Sequence, residues 1–226
     1  MTTHILSALL QAIASPHPPS SGSGFPTSTT LDPSNKASGI TLSGGNLTAT
    51  QVSNDHGAVY STNSVSSGKV YFEATFEVLN STSSSTGVGV ATSTAPTSDP
   101  PGNMNGSGSN DSTSVACVNG SGVFFNNASL GQWTSSAFDT VVTIGIAVDI
   151  TNKLIWGKNL TAAGNWNNNG SANPATGANG ISISGLASSS PLLAVAGFGE
   201  FGSNCEITMN FGASGFSGSV PSGFNT

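Results

Sequence analysis

Every second residue from Val142 to Ile150 is a branched aliphatic: Val142, Ile144, Ile146, Val148 and Ile150. A period of two puts all five on one face of an extended chain, and no helix gathers them on one side. The same period runs through Lys69–Leu79, where Phe72, Ala74, Phe76 and Val78 alternate with Tyr71, Glu73, Thr75 and Glu77. Two long strands, each apolar on one face, have to be covered by something equally apolar.

The rest of the chain supplies that cover as further strands. Gly39–Ser43 and Asn46–Thr50 flank Gly44-Gly45, a hairpin signal. Thr86–Thr92 forms another strand, and Thr113–Asn119 and Gly122–Asn126 pair across Gly120-Ser121. The strand over Thr140–Ile150 turns at Thr151-Asn152 into Lys153–Lys158. Pro191–Phe198 and Cys205–Phe211 close the series. About ten short strands with turns and no intervening helix predict an all-β fold, an antiparallel two-sheet sandwich.

Composition agrees. Charged residues are 6% of the 226-residue chain, where about 25% is usual. Ser, Thr, Gly and Asn replace them and make up about half the sequence. These residues are weak helix formers and suit strands and turns. The basic residues are four lysines with no arginine, and the net charge is −6. That balance argues against nucleic acid and against an anionic membrane surface. No apolar run approaches the roughly 20 residues of a membrane-spanning helix.

Residues 1–14 differ from everything after them. Ile5, Leu6, Leu9, Leu10 and Ile13 make one helical stripe, Thr2 or Thr3 can cap it, and Pro16 ends it. A helix so short needs a partner to cover its apolar face, which fits a heteromeric or homo-oligomeric socket. A signal peptide is the rival reading: Ala12-Ile13-Ala14 resembles a cleavage site, although no Lys or Arg precedes the apolar part. Residues 15–30 read as a Pro/Ser/Gly linker. The expected layout is an anchor helix over 1–14, a linker over 15–30 and a sandwich over 31–226. Two stretches, Ser93–Ser112 and Leu160–Gly180, fit no strand; loops of that length are usually functional or mobile.

An ordered set of strings now carries a family likeness. Leu31-Asp32-Pro33 precedes Ile40-Thr41-Leu42-Ser43 and Asn46-Leu47-Thr48-Ala49-Thr50. Ser67-Gly68-Lys69-Val70-Tyr71-Phe72-Glu73 and Gly87-Val88-Gly89-Val90 follow. Then come Ile144-Gly145-Ile146-Ala147-Val148-Asp149, Lys153-Leu154-Ile155-Trp156, Lys158-Asn159, Pro191-Leu192-Leu193-Ala194-Val195 and Asn210-Phe211-Gly212. Over about residues 31–226 this order resembles the SPRY-domain family, in its bacteriophage and bacterial variant. The resemblance implies a concanavalin-like jelly roll, a SPRY-like sandwich that recognises protein or other ligands through its loops and performs no catalysis. The phage variants resemble parts of virion proteins. The polar insert at Ser93–Ser112, the Asn-rich loop and the N-terminal arm depart from the family pattern and leave the ligand open.

Catalytic and metal constellations are weak. Glu73 and Glu77 share a strand face at about 13 Å, beyond the roughly 5–9.5 Å of glycosidase pairs, which leaves a solvated or sheet-facing strand face as the simpler reading. His4, His17 and His56 are scattered, so neither a Ser/His/Asp system nor a metal site assembles. Asp99 and Asp111 lack a calcium-loop pattern. No cofactor is expected. Cys117 and Cys205 read as two buried thiols or as one staple. Trp156 sits in a strand and reads as packing. Trp133 and Trp166 stand in polar loop sequence, the latter before Asn167, Asn168 and Asn169. An aromatic plane ringed by amides suits a sugar face or a peptide side chain; alternatively each Trp folds back as a plug.

These readings give a non-catalytic virion surface protein. Residues 1–14 dock on other virion proteins, and the sandwich attaches to a host receptor or surface glycan as part of a tail or head fibre. Ligand contacts are expected from the 93–112 and 160–180 loops. The alternatives are a capsid decoration or tail-sheath accessory protein without a host ligand, a secreted glycan hydrolase, and a host-side adaptor binding a peptide.

Overall fold

The computed structural model describes residues 24–52, 56–77, 86–98, 113–118, 122–125, 128–135, 140–186, 191–199 and 205–225. The anchor stripe Ile5, Leu6, Leu9, Leu10 and Ile13 lies outside them, as do residues 99–112 of the polar insert.

Fourteen strands are present among these residues. They are β1 (Leu31–Lys36), β2 (Ile40–Ser43), β3 (Thr48–Gln51), β4 (Gly57–Val65), β5 (Lys69–Glu77), β6 (Thr86–Thr92) and β7 (Ser114–Val118). The others are β8 (Gly122–Phe125), β9 (Ala128–Gly131), β10 (Val142–Asp149), β11 (Leu154–Asn159), β12 (Ile181–Ser182), β13 (Leu192–Phe198) and β14 (Glu206–Asn210). Two antiparallel sheets hold seven strands each, in the orders β1-β4-β13-β6-β7-β8-β9 and β12-β11-β10-β5-β14-β3-β2. The all-β two-sheet sandwich expected from the alternation is the observed architecture.

The alternating residues do what their period dictates. Phe72, Ala74 and Phe76 of β5 and Ile144, Ile146 and Val148 of β10 enter one core with Val88, Val90, Val115, Ala194 and Ala196 of the facing sheet. Each fully buried large side chain contributes about 1.5–3 kcal/mol. Cys117 and Cys205 are both buried in this core, and no disulfide staple joins them.

Strand β4 breaks the period-two rule and was not legible as a strand. Its polar stretch Ser61–Ser64 lies at a register shift against β13, between Leu193 and Val195. There the Ser61 hydroxyl accepts the Ala194 N–H at 3.0 Å and donates to the Asn63 carbonyl at 2.7 Å. A side chain thus satisfies a backbone group that the bulge leaves unpaired.

The expected linker 15–30 ends early. Phe25 is 1% exposed, and its ring meets Phe72 at 5.7 Å and Phe211 at 5.4 Å. Thr29 is buried and accepts from the Asn63 amide. Residues 24–30 therefore belong to the sandwich, because a lone aromatic in a polar segment gains most by entering the core.

Candidate functional site

The outer face of the β12-β11-β10-β5 side is covered by a second layer. Tyr71, Ala147 and Trp156 project outward from β5, β10 and β11, in register across Ala147. With Phe224 they form an apolar cluster of their own, flanked by Leu154, Trp166, Phe216 and Val220. Glycines make room for the rings. A Cβ at Gly145 would stand 2.5 Å from the Tyr71 hydroxyl, and one at Gly180 would stand 2.5 Å from Trp156.

One wall of the site is the 160–180 loop. Asn167 holds it down. Its Oδ1 accepts the Gly157 N–H at 3.0 Å and its Nδ2 donates to the Asn179 carbonyl at 2.9 Å. Strand β12 pairs with β11 only at Leu154 and Ile155, so the Asn167 amide stands in for a neighbouring strand further along that edge. Asn167 and Asn168 both have positive φ, 49° and 51°, a conformation Asn tolerates better than most residues. The Trp156 indole donates to the Ala178 carbonyl at 3.0 Å, and Asn173 accepts from the Ala175 N–H at 3.0 Å.

The other wall is a strap formed by residues 212–225, which follow β14. Glu73 anchors it. The carboxylate is 2% exposed and accepts the Ser217 and Gly218 N–H groups at 2.8 Å each and the Tyr71 hydroxyl at 2.8 Å. Three donors satisfy a charge that burial would otherwise penalise heavily. The strap end is equally fixed. Asn225 donates to the Lys69 carbonyl and accepts from the Tyr71 N–H, both at 2.9 Å. Phe216 packs edge-on to Tyr71 at 5.0 Å, and Phe224 on Trp156 at 6.3 Å. Glu73 is not solvated; it holds backbone.

Burial and the adjacent Glu73 carboxylate push the Tyr71 phenol far above its ordinary value. In a Tyr60→Phe background, absorbance titration at the phenolate band is expected to show no Tyr71 ionisation while the fold persists. A folded-state pKa raised this way stabilises the fold fully below the unfolded value of about 10. The stability is lost as pH rises above that, so alkaline unfolding is expected to bring the phenolate signal with it. A Tyr71 transition near pH 10 in a protein still folded by circular dichroism would contradict this.

Between the walls lies a cleft of about 470 Å³. Lys158 of β11, Leu160, Ala163, Trp166 and Pro174 of the loop, and residues 217–222 of the strap line it. The Lys158 amine stands 6.0 Å from the Trp166 ring centre. Its lining contains one cation and no carboxylate.

Of the residues singled out from the sequence, Trp166 alone lines this cleft. Trp133 lies elsewhere: it is 1% exposed, a plug in the main core over Gly157, where a Cβ would stand 1.9 Å from its Cδ2. The side chain of Asn167 is occupied by backbone groups. Asn168 is exposed beside the cleft without lining it, and the Asn169 side chain caps the Ser171 N–H. The described part of the 93–112 insert is tied to β4 on the opposite sheet, where the Tyr60 hydroxyl donates to the Pro96 carbonyl at 2.6 Å. The sequence reading missed Lys158 and the strap; the isolated Phe216, Val220 and Phe224 in a Gly/Ser tail were the available signal.

No family model and no curated protein matches the chain. Solved structures do. The PSpry domain of TRIM65 is similar over 80% of this chain and 90% of that one, at 14% identity and a TM-score of 0.55. The SPRY domain of human HERC1 is similar over 82% and 99%, at 16% identity and a TM-score of 0.54. The fold is SPRY-like. Stonustoxin contains the same architecture in part: the likeness covers 80% of this chain and 26% of that one, at 17% identity and a TM-score of 0.51. On this SPRY-like frame, the cleft lies on the outer face of one sheet, between a loop and a strap that the sheet itself ties down.

Proposed function

We propose that this chain is a non-catalytic recognition module on the surface of a phage virion, with its ligand seated in the cleft between the 160–180 loop and the C-terminal strap. The cleft carries this reading. It combines an aromatic plane, a cation and a row of hydroxyl side chains. Both walls are held by hydrogen bonds to the sheet, so little ordering remains to oppose binding. No Asp, Glu, His or Cys lines it to perform proton transfer or nucleophilic attack. The virion setting rests on the sequence resemblance, on the low-charge, arginine-free composition and on the apolar stripe of residues 1–14.

Gold-labelled antibody against the chain is expected to mark tail or head fibres of intact particles from the producing lysate. Particles carrying Trp166→Ala are expected to keep the label and lose most of their adsorption to host cells. Label spread evenly over the head, with adsorption unchanged by Trp166→Ala, would make this a decoration protein. Absence of label from every particle would overturn the virion placement.

A further inference from the structure

We propose that the cleft takes an acidic saccharide, a sugar chain with a carboxylate on the ring that enters. This rests on the cleft being the recognition site and goes on to name its ligand class.

Lys158 provides the first argument. The Lys36 amine donates to the Ile40 carbonyl at 2.6 Å, and Lys69 is paired with Asp149 at 3.5 Å. Lys153 and Lys158 have no side-chain hydrogen bond or ion pair to the described residues, and of these two only Lys158 lines the cleft, its amine neighbouring the Trp166 ring. Its three donors are open to an anion. The chain has ten acidic residues and a net charge of −6, so its general field repels anions. The cleft inverts that sign locally. The carboxylate on the same cross-strand row, Glu73, is separated from Lys158 by Gly145 and has its oxygens held by two amides and a phenol.

The other lining groups suit a sugar. Trp166 offers a ring for the C–H face of a pyranose. Ser217, Ser219 and Ser222 offer hydroxyls that can both donate and accept, matching sugar hydroxyls. The volume of about 470 Å³ suits a ligand of one or two rings. A peptide is disfavoured by the backbone. Peptides commonly add as a strand to a free sheet edge, and beside this cleft the β11 edge is already closed by Asn167.

The test titrates the full chain with a glucuronate-terminated trisaccharide and its glucose-terminated counterpart, following tryptophan fluorescence. The two probes differ only in a carboxylate against a hydroxymethyl group. The acidic probe is expected to bind about tenfold more tightly, with the difference shrinking as salt rises. Lys158→Gln is expected to abolish the difference, Lys158→Arg to retain it, and Trp166→Ala to weaken both probes, with all three variants folded by circular dichroism. Equal binding of both probes, unaffected by Lys158→Gln, would overturn the acidic class while leaving the cleft as the site. Binding of a proline-rich peptide but neither sugar, lost in Trp166→Ala, would do the same. No binding of either sugar, with adsorption still dependent on Trp166, would overturn this inference alone. Adsorption independent of Trp166 would overturn the cleft as well.

Discussion

Glu73→Ala is expected to detach the C-terminal strap and lower the stability of the chain by about 3 kcal/mol. The carboxylate accepts three hydrogen bonds from within a buried site, and its removal leaves the Ser217 and Gly218 amides and the Tyr71 hydroxyl without their acceptor. Charge-assisted bonds contribute about 1.5–3 kcal/mol each, and three on one group do not add fully. Urea unfolding monitors the global loss. Hydrogen exchange monitors the local one, at the Tyr71 and Asn225 amides that join the strap end to β5. Glu73→Gln keeps the shape but turns a donor toward donors, so it should fall between the wild type and Glu73→Ala. Because strap residues 217–222 form one wall of the cleft, ligand affinity should fall in the same order. Wild-type exchange rates at those amides in Glu73→Ala would show that the aromatic contacts of Phe216 and Phe224 alone hold the strap.

That buried carboxylate marks the boundary of what the sequence made legible. Strands β5 and β10 were readable because one face of each is purely apolar and the other is polar in β5 and mixed in β10. From the same alternation the outer face of β5 reads as either solvated or sheet-facing, with nothing local to decide between the two for Glu73 and Tyr71. What buries them is contributed from 144 or more residues away, by a tail of Gly, Ser and Pro with no periodicity of its own. Local pattern carries no information about such a pairing. Phe25 was missed similarly, as a single aromatic in polar sequence whose partners Phe72 and Phe211 are distant in the chain. Strand β4 was hidden because its bulge replaces the alternation with a polar run in which the Ser61 and Thr62 hydroxyls bond backbone.

The loop signal was half readable. Length and composition pointed to the 160–180 loop, and Trp166 does line the cleft. The asparagines after it suggested ligand contacts because free amides suit sugars. Asn167 is instead the group that fixes the loop, which follows from the short reach of β12 along the β11 edge. Unpaired backbone at a strand edge competes with any ligand for a nearby amide, and the backbone group is always present. Lys158 drew no attention because one lysine on a strand is ordinarily a solvated face. Its significance depends on a cleft lining without carboxylates, a property of the assembled cleft.

Gly157→Val is expected to be the most damaging single substitution near the site. A Cβ at that position would stand 1.9 Å from Trp133 Cδ2 and 2.3 Å from Cγ and Cε3, so the ring must leave. Trp133 is 1% exposed and among the largest fully buried side chains, and displacing it forfeits a large apolar burial. Overpacking costs about 1–3 kcal/mol and losing a buried Trp about 3–5 kcal/mol, so the variant should be destabilised by roughly 3 kcal/mol or more. It is tested within a double-mutant cycle, because the single variant can fail to fold. Trp133→Ala alone should cost about 3–5 kcal/mol and open the space that a valine at 157 needs. The pair should therefore cost at least 1 kcal/mol less than the sum of the singles. Strict additivity in urea unfolding would mean that Trp133 and Gly157 do not share that space. Gly157 also precedes Lys158 and donates its N–H to Asn167, so the packing of Trp133 on the core side sets the cation and the loop on the other. A folded Trp133→Ala variant with weakened discrimination between acidic and neutral sugars would show the core fixing the cleft through one strand.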